Sequence, residues 1–513
     1  MGVSPCSHRC RLRPFGVLSV VWVMLLAACA GWQRPVPIAT FQPPAASAAA
    51  TLTPTPFLPA TNTPIPPTVT PTPTPVHTPT PTATPTPTPL PRPQYRLDAR
   101  LDYWKRTLDV EAHLHYPNTT GRTLETLVLN VEPAQWEGVF QLQNLEVNGQ
   151  PAQSAWAGTR WEIALPQPLQ PEQTLTLTVR YRLKLPYKTA SRIFGASARQ
   201  INLVDWYPFV VPYDPAEGWL WHKPWPFGDH LAYPAADFDV TLQVKDAPPE
   251  TKIAASAWPA DDGHYRLQAA RTFAFSISPE FRTAQTTSQG ITITSYYFPE
   301  LAAGGKALPA YARKAVATFS KYYGPLPRQH LAIVATDAAD GMEYSGLVFL
   351  STNFYRQYDG TILNNLVSLG MHELSHQWWY DQVGNDQAMH PWLDEALATY
   401  SERLFYQDNY PKDAHLWWNF RVYWFHPEGY INRSIYDYAT FRPYVNATYL
   451  RGAEFMEDLR QKIGDAAFFA FLQDYQNQMR GKIATPEDFF RILQAHTHAQ
   501  RSDLQKGYFT PTP

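Results

Sequence analysis

Apolar and polar residues alternate with a period of two along four stretches of the chain. Tyr95, Leu97, Ala99, Leu101 and Tyr103 share one face, as do Leu108, Val110, Ala112, Leu114 and Tyr116. The same holds for Leu175, Leu177, Val179, Tyr181, Leu183 and Leu185, and for Phe238, Val240, Leu242 and Val244. Successive side chains of a strand point to opposite faces, so this pattern predicts half-buried antiparallel strands with turn residues between them. Residues 94–284 are therefore read as one β-rich domain, sandwich-like in architecture. The aromatic group Trp206, Tyr207, Trp219, Trp221 and Trp225 is read as packing against the next domain, with reach into the cleft as the alternative.

Beyond residue 284 the pattern is mixed and then helical. Lys306 to Tyr323 predicts a helix stopped by Gly324-Pro325, and His330 to Ala335 predicts a strand. Helical patterns dominate from Thr361. Thr485-Pro486-Glu487-Asp488 has the signs of a helix start: a capping Thr, Pro in the first turn and acids near the positive end of the dipole. Residues 285–505 are read as a second, α+β domain, and 506–513 as a tail.

The first 93 residues differ from both. Arg9, Arg11 and Arg13 precede an apolar run from Phe15 to Ala28 that is shorter than the roughly 20 residues of a membrane span, so 1–28 reads as a signal peptide. Leu26-Ala27-Ala28-Cys29 resembles a bacterial lipobox, which would leave Cys29 to carry lipid and make the protein an extracytoplasmic, cell-surface lipoprotein held to the membrane by its N-terminus. Residues 29–93 are a Thr/Pro-rich linker, with too little apolar content for a core and a preference for extended polyproline II. Once the signal peptide is removed, Cys29 is the sole cysteine, which excludes an intrachain disulfide and a cysteine metal ligand. The charge then stands at 39 basic against 44 acidic side chains with no basic block, which argues against a nucleic-acid partner.

The chemistry is concentrated in His372-Glu373-Leu374-Ser375-His376, followed after a gap of eighteen residues by Glu395. Residues i and i+4 of a helix lie on one face, so both imidazoles reach one metal ion and Glu373 projects beside them. Glu395 lies in Trp392-Leu393-Asp394-Glu395-Ala396, which begins a second helix after Pro391. A catalytic zinc takes three protein ligands and keeps a position open. His372, His376 and Glu395 supply that set for one Zn2+ per chain. Glu402 falls two turns after Glu395 on the same face, either as an orienting partner for a ligand histidine or as a solvated glutamate.

The stretch from His372 to Tyr400 resembles the gluzincin aminopeptidases, the family of aminopeptidase N and the leukotriene hydrolases. Gly341-Met342-Glu343-Tyr344 is similar to that family's Gly-x-Met-Glu-Asn segment, and Tyr449-Leu450-Arg451-Gly452-Ala453 to its Tyr-x-Lys-Gly-Ala. The resemblance implies a thermolysin-like catalytic domain and a zinc-dependent aminopeptidase that removes N-terminal residues from extracellular peptides. It further implies that Glu373 is the general base on a zinc-bound water, that Tyr449 stabilises the oxyanion, and that Gly341, Met342 and Glu343 line the substrate cleft, with Glu343 on the substrate amine. Tyr344 replaces the family's Asn, and its other amine-binding residue has no evident counterpart between Asp205 and Trp221. An endopeptidase or dipeptide-releasing enzyme of the same fold, or a surface binding protein, therefore stand as alternatives. A chain ending at Pro513 is expected to lack the large C-terminal helical domain of longer members and to have a more open cleft.

Overall fold

The computed structural model describes residues 91–187 and 192–511. The signal peptide, Cys29 and all but the last residues of the linker lie outside the described residues.

The alternating stretches form an eight-stranded sheet. Gln94–Asp102 pairs with Thr107–Pro117 on one side, and Thr174–Lys184 lies beyond that strand. On the other side Gln94–Asp102 pairs with Ala236–Lys245, and this pairing is parallel. An all-antiparallel sheet is the simpler expectation from alternation. Alternation reports only which face is buried, and strand direction depends on the long connection between residues 102 and 236. The inward face is apolar, with Leu97, Leu177 and Tyr181 buried. Two four-stranded sheets, one containing Leu124–Asn130 and the other Phe275–Ser278, supply further layers. Trp206 is buried and its Nε1 donates to the Phe273 carbonyl at 2.9 Å, as scaffold.

A mixed five-stranded sheet begins at Arg282. Its order is Arg282–Ser288, Ile291–Tyr297, His330–Thr336, Leu347–Ser351 and Met342–Tyr344. His330–Thr336 is buried throughout and parallel to both neighbours, whereas the edge strand Met342–Tyr344 is antiparallel. The helix Ala302–Tyr323 packs on this sheet and ends at Gly324, whose left-handed φ of 100° breaks the helix.

The histidine helix Asn365–Ser375 is capped by Asn364, whose side chain accepts from Val367 N at 3.1 Å. The glutamate helix Trp392–Asn409 lies against it, and Gly452–Ile463 packs on the glutamate helix in turn. Thr485 and Asp488 form the capping box expected at the helix Pro486–Gln494. The expected tail is packed as far as it is described. Phe509 is buried with its ring 5.2 Å from Trp392, because that helix needs cover for its large indole. Among the described residues no helix is long and apolar enough to cross a membrane.

Candidate metal centre

The two histidines and Glu395 converge. His372 Nε2 lies 3.2 Å from His376 Nε2 and 3.1 Å from Glu395 Oε2, and His376 Nε2 lies 3.6 Å from the same oxygen. The other ring nitrogen of each histidine is already engaged. His372 Nδ1 faces the Glu402 carboxylate at 3.2 Å, and His376 Nδ1 faces the Trp379 carbonyl at 2.8 Å. Both partners only accept, so Nδ1 carries a hydrogen, and Nε2 presents a lone pair once its own proton has left. Two imidazole nitrogens and a carboxylate oxygen so close together repel unless a shared proton or a metal ion lies among them. The set of two nitrogens and one oxygen suits zinc, so the residues fit the ion that the motif implies.

Burial sets the charge states in the metal-free protein. It works against a charged His372, but the hydrogen bonds to Glu395 and Glu402 outweigh it and raise the pKa to about 9. Burial also opposes the Glu395 carboxylate. Its bonds with His372 and His376 outweigh that cost and hold it well below the usual carboxylate range. Glu373 is raised to about 8, first by burial and then by Glu343 and Glu395, against the pull of the histidines. Among the described residues no hydrogen bond ties the Glu373 carboxyl, which leaves it free to exchange a proton.

Glycines allow the close approaches. A Cβ at Gly341 would lie 2.2 Å from Glu373 Oε1, so the residue expected to line the cleft also makes room for the base. A Cβ at Gly452 would lie 2.5 Å from Ala396 Cβ, so this glycine lets its helix seat directly on the glutamate helix. Tyr449 lies just before it, in the π-helical stretch Asn446–Arg451, a widened turn of a kind frequent at functional sites. Its hydroxyl donates to Glu395 Oε1 at 2.7 Å and its ring stacks 5.8 Å from His372.

Glu343 is buried on the edge strand and accepts from Gln387 Nε2 at 3.0 Å. Met342 precedes it, half-buried. The same Gln387 nitrogen donates to Asp394 Oδ2 at 3.0 Å. Glu402 is fully buried, which removes the solvated reading. Besides His372 it holds Arg421 through two bonds of 3.0 Å.

One group at the centre is absent from the sequence reading. The loop Phe227–Asp229 reaches in from the β-rich region. Its Phe227 ring lies 5.7 Å from Tyr444, and Gly228 (φ 70°) has room for no side chain beside Ile435 and the Tyr444 hydroxyl. Asp229 follows. Burial, and then the carboxylates of Glu343, Glu395 and Asp394, push its pKa well above the ordinary value. The available signal is a Gly-Asp pair beyond the Asp205–Trp221 stretch, and it carries no periodicity.

Residues 310–508 match the peptidase family M1 domain. The chain is 24% identical over 233 residues to the probable aminopeptidase 2 of Sulfurisphaera tokodaii, covering 40% of this chain and 28% of that protein. It is 25% identical over 244 residues to aminopeptidase M1 of Arabidopsis thaliana, covering 43% and 28%. The chain thus spans little more than a quarter of the length of the curated relatives it matches. The fold is that of the M1 zinc metallopeptidase from Deinococcus radiodurans, with a TM-score of 0.60 at 19% identity over 82% of this chain and 94% of that one. A mutant of that enzyme bound to a Tyr-Ser-Ala substrate gives 0.59 at 21% identity, covering 82% and 95%. Residues 310–508 thus carry a peptidase family M1 domain, in keeping with the resemblance of the His372–Tyr400 stretch to the gluzincin aminopeptidases.

Proposed function

We propose that the protein is a zinc-dependent aminopeptidase, with His372, His376 and Glu395 as ligands. The observation that carries this reading is the convergence of two Nε2 lone pairs and Glu395 Oε2 beside the unbonded carboxyl of Glu373. Zinc, when bound, supplies Lewis acidity toward a peptide carbonyl and acidifies a water. Glu373 takes up a proton at its carboxyl and returns it to the leaving amine. Tyr449 Oη, already a donor in the site, is placed to donate to the substrate carbonyl oxygen as negative charge grows there. Glu402 and the Trp379 carbonyl fix the two histidine rings.

Glu343, held by Gln387, and Asp229 offer two carboxyl groups to a substrate ammonium, which favours peptides with a free N-terminus. The relative bound to Tyr-Ser-Ala supports short peptides as the substrate class. The test uses the full chain against aminoacyl fluorophores and their N-acetylated forms, with a chelator control and Glu373→Gln. Zinc-dependent release from free-amine substrates alone supports the proposal, and release from the blocked forms moves it to an endopeptidase. The lipobox-like Leu26-Ala27-Ala28-Cys29 supports an extracytoplasmic, lipid-anchored location in a bacterium, with extracellular peptides as substrates. Palmitate labelling that survives Cys29→Ala would count against that anchor.

A further inference from the structure

The six residues after His376 are tied at nearly every position. Asp381 N donates to the His376 carbonyl at 2.9 Å, Tyr380 N to the Val383 carbonyl at 2.8 Å, and Val383 N to the Trp378 carbonyl at 3.0 Å. Within this turn Tyr380 has φ 141°, a left-handed value that an L side chain rarely adopts. The peptide joining Trp379 to Tyr380 carries the carbonyl that accepts from His376 Nδ1–H. The strained torsion therefore adjoins the peptide unit whose oxygen orients a metal ligand.

Arg271 holds that backbone from outside. Its Nε donates to the Tyr380 carbonyl, Nη1 to the Tyr233 carbonyl at 2.7 Å, and Nη2 to the carbonyls of Lys482 at 2.8 Å and Gln382 at 3.4 Å. The side chain is buried, and its hydrogen bonds are to carbonyls with no carboxylate among them. The neighbouring acid Asp381 is engaged by Arg328 at 2.8 and 2.9 Å. Burial lowers the Arg271 pKa to about 10, so the group stays charged at neutral pH. A Cβ at Gly384 would lie 2.2 Å from Arg271 Cζ, so that glycine leaves the space the guanidinium fills. A buried cation without a direct counter-ion is expensive to keep where packing alone is needed. The carbonyls it gathers come from three separate segments, and they include the strained residue.

We propose that Arg271 is a positioning residue of the metal centre. By gripping the Tyr380 carbonyl it holds Tyr380 in its left-handed conformation. The Trp379 carbonyl then stays on His376 Nδ1–H, and Nε2 stays turned to the metal. Released from Arg271, Tyr380 relaxes toward negative φ, the Trp379 carbonyl swings away, and the His376 ring loses its fixed tautomer.

This inference rests on the zinc reading above, and the test separates the two. In the full chain, zinc affinity is measured by chelator competition, and the His376 tautomer by nitrogen NMR of the 15N-histidine-labelled apoprotein at a pH high enough for the ring to be neutral. Arg271→Met is expected to weaken zinc binding about 10- to 100-fold and to mix the His376 tautomers. Gly384→Ala, which displaces the guanidinium without removing it, does the same, and Arg271→Lys falls between. Leu177→Ala, in the distant sheet, lowers Tm and leaves both readouts within twofold. Wild-type zinc affinity with a single Nδ1–H tautomer in Arg271→Met or Gly384→Ala overturns the proposal, as does an equal loss in Leu177→Ala. If Arg271→Met does not fold, Gly384→Ala decides alone. A wild-type chain that binds no zinc overturns the metal reading, and the tautomer measurement still decides the clamp.

Discussion

The eight-stranded sheet buries one face and the paired helices around His372 bury most of their positions, and the two enclose opposite kinds of residue. In the sheet the inward positions are Leu, Val and Tyr, and charge lies on the outer face in cross-strand pairs such as Arg182–Asp109 at 2.6 Å. In the helices the enclosed positions include His372, Glu373, His376, Asp394, Glu395 and Glu402. Apolar burial stabilises at about 25 cal/mol per Å². Burying an ionisable group costs several kcal/mol unless it is paired. The first region is built for stability. The second gives up stability for a site that a cation completes.

The largest break between the two comes from Glu373→Gln, expected to lower turnover about a thousandfold while leaving zinc content and folding intact. Steady-state assay beside metal analysis checks this, and near-wild-type turnover would remove Glu373 from the chemistry. Leu177→Ala is the mirror image, costing about 2–5 kcal/mol in urea unfolding with turnover per folded molecule unchanged. Tyr449→Phe should lower kcat about a hundredfold, and an effect on KM alone would deny it the donor role.

Protons sharpen the contrast further. The pKa of Glu373 is raised from 4.5 to about 8 in the folded metal-free protein, so the folded state binds the proton more tightly. Its stabilising contribution is full below pH 4.5 and is lost as pH rises through about 8. Apoprotein stability should therefore fall over that window relative to Glu373→Gln, by up to about 1.4 kcal/mol per pH unit. Zinc affinity should move the other way. His372, raised to about 9, must give up its extra proton to bind, so affinity should climb up to about tenfold per unit toward pH 9. A flat profile in chelator competition would deny His372 the ligand role. The smallest effect is expected on the sheet's outer face, where Arg182→Ala should cost under about 1 kcal/mol.

Much of this organisation is legible in the chain because it is local. Alternation at Leu97, Leu177 or Val240 marks a strand face without knowledge of partners, and the spacing of His372 and His376 places both on one helical face. Glu395 is legible because the Trp392 helix follows closely. Direction is not local, and the parallel pairing of Gln94–Asp102 with Ala236–Lys245 depends on a connection that no alternation encodes. Asp229 and Arg271 act more than 100 residues from the histidines in sequence, one through a glycine-tight loop and the other through backbone carbonyls, which have no side-chain signature. Glu402 was ambiguous for a related reason. Spacing assigns it a face of the helix, and only the packing of Arg421 and His372 shows that this face is enclosed.

The place of the first strand has a mechanical consequence. Gln94–Asp102 lies inside the sheet, registered over nine residues with each of its two neighbours. A pull on the chain ahead of Pro93, in line with the strand, loads both ladders in shear, so their bonds must yield together. An edge strand pulled from its end would peel open pair by pair. Force arriving along the Thr/Pro-rich segment would thus meet the most resistant attachment the sheet offers, and the metal centre, on separate elements, would feel it last.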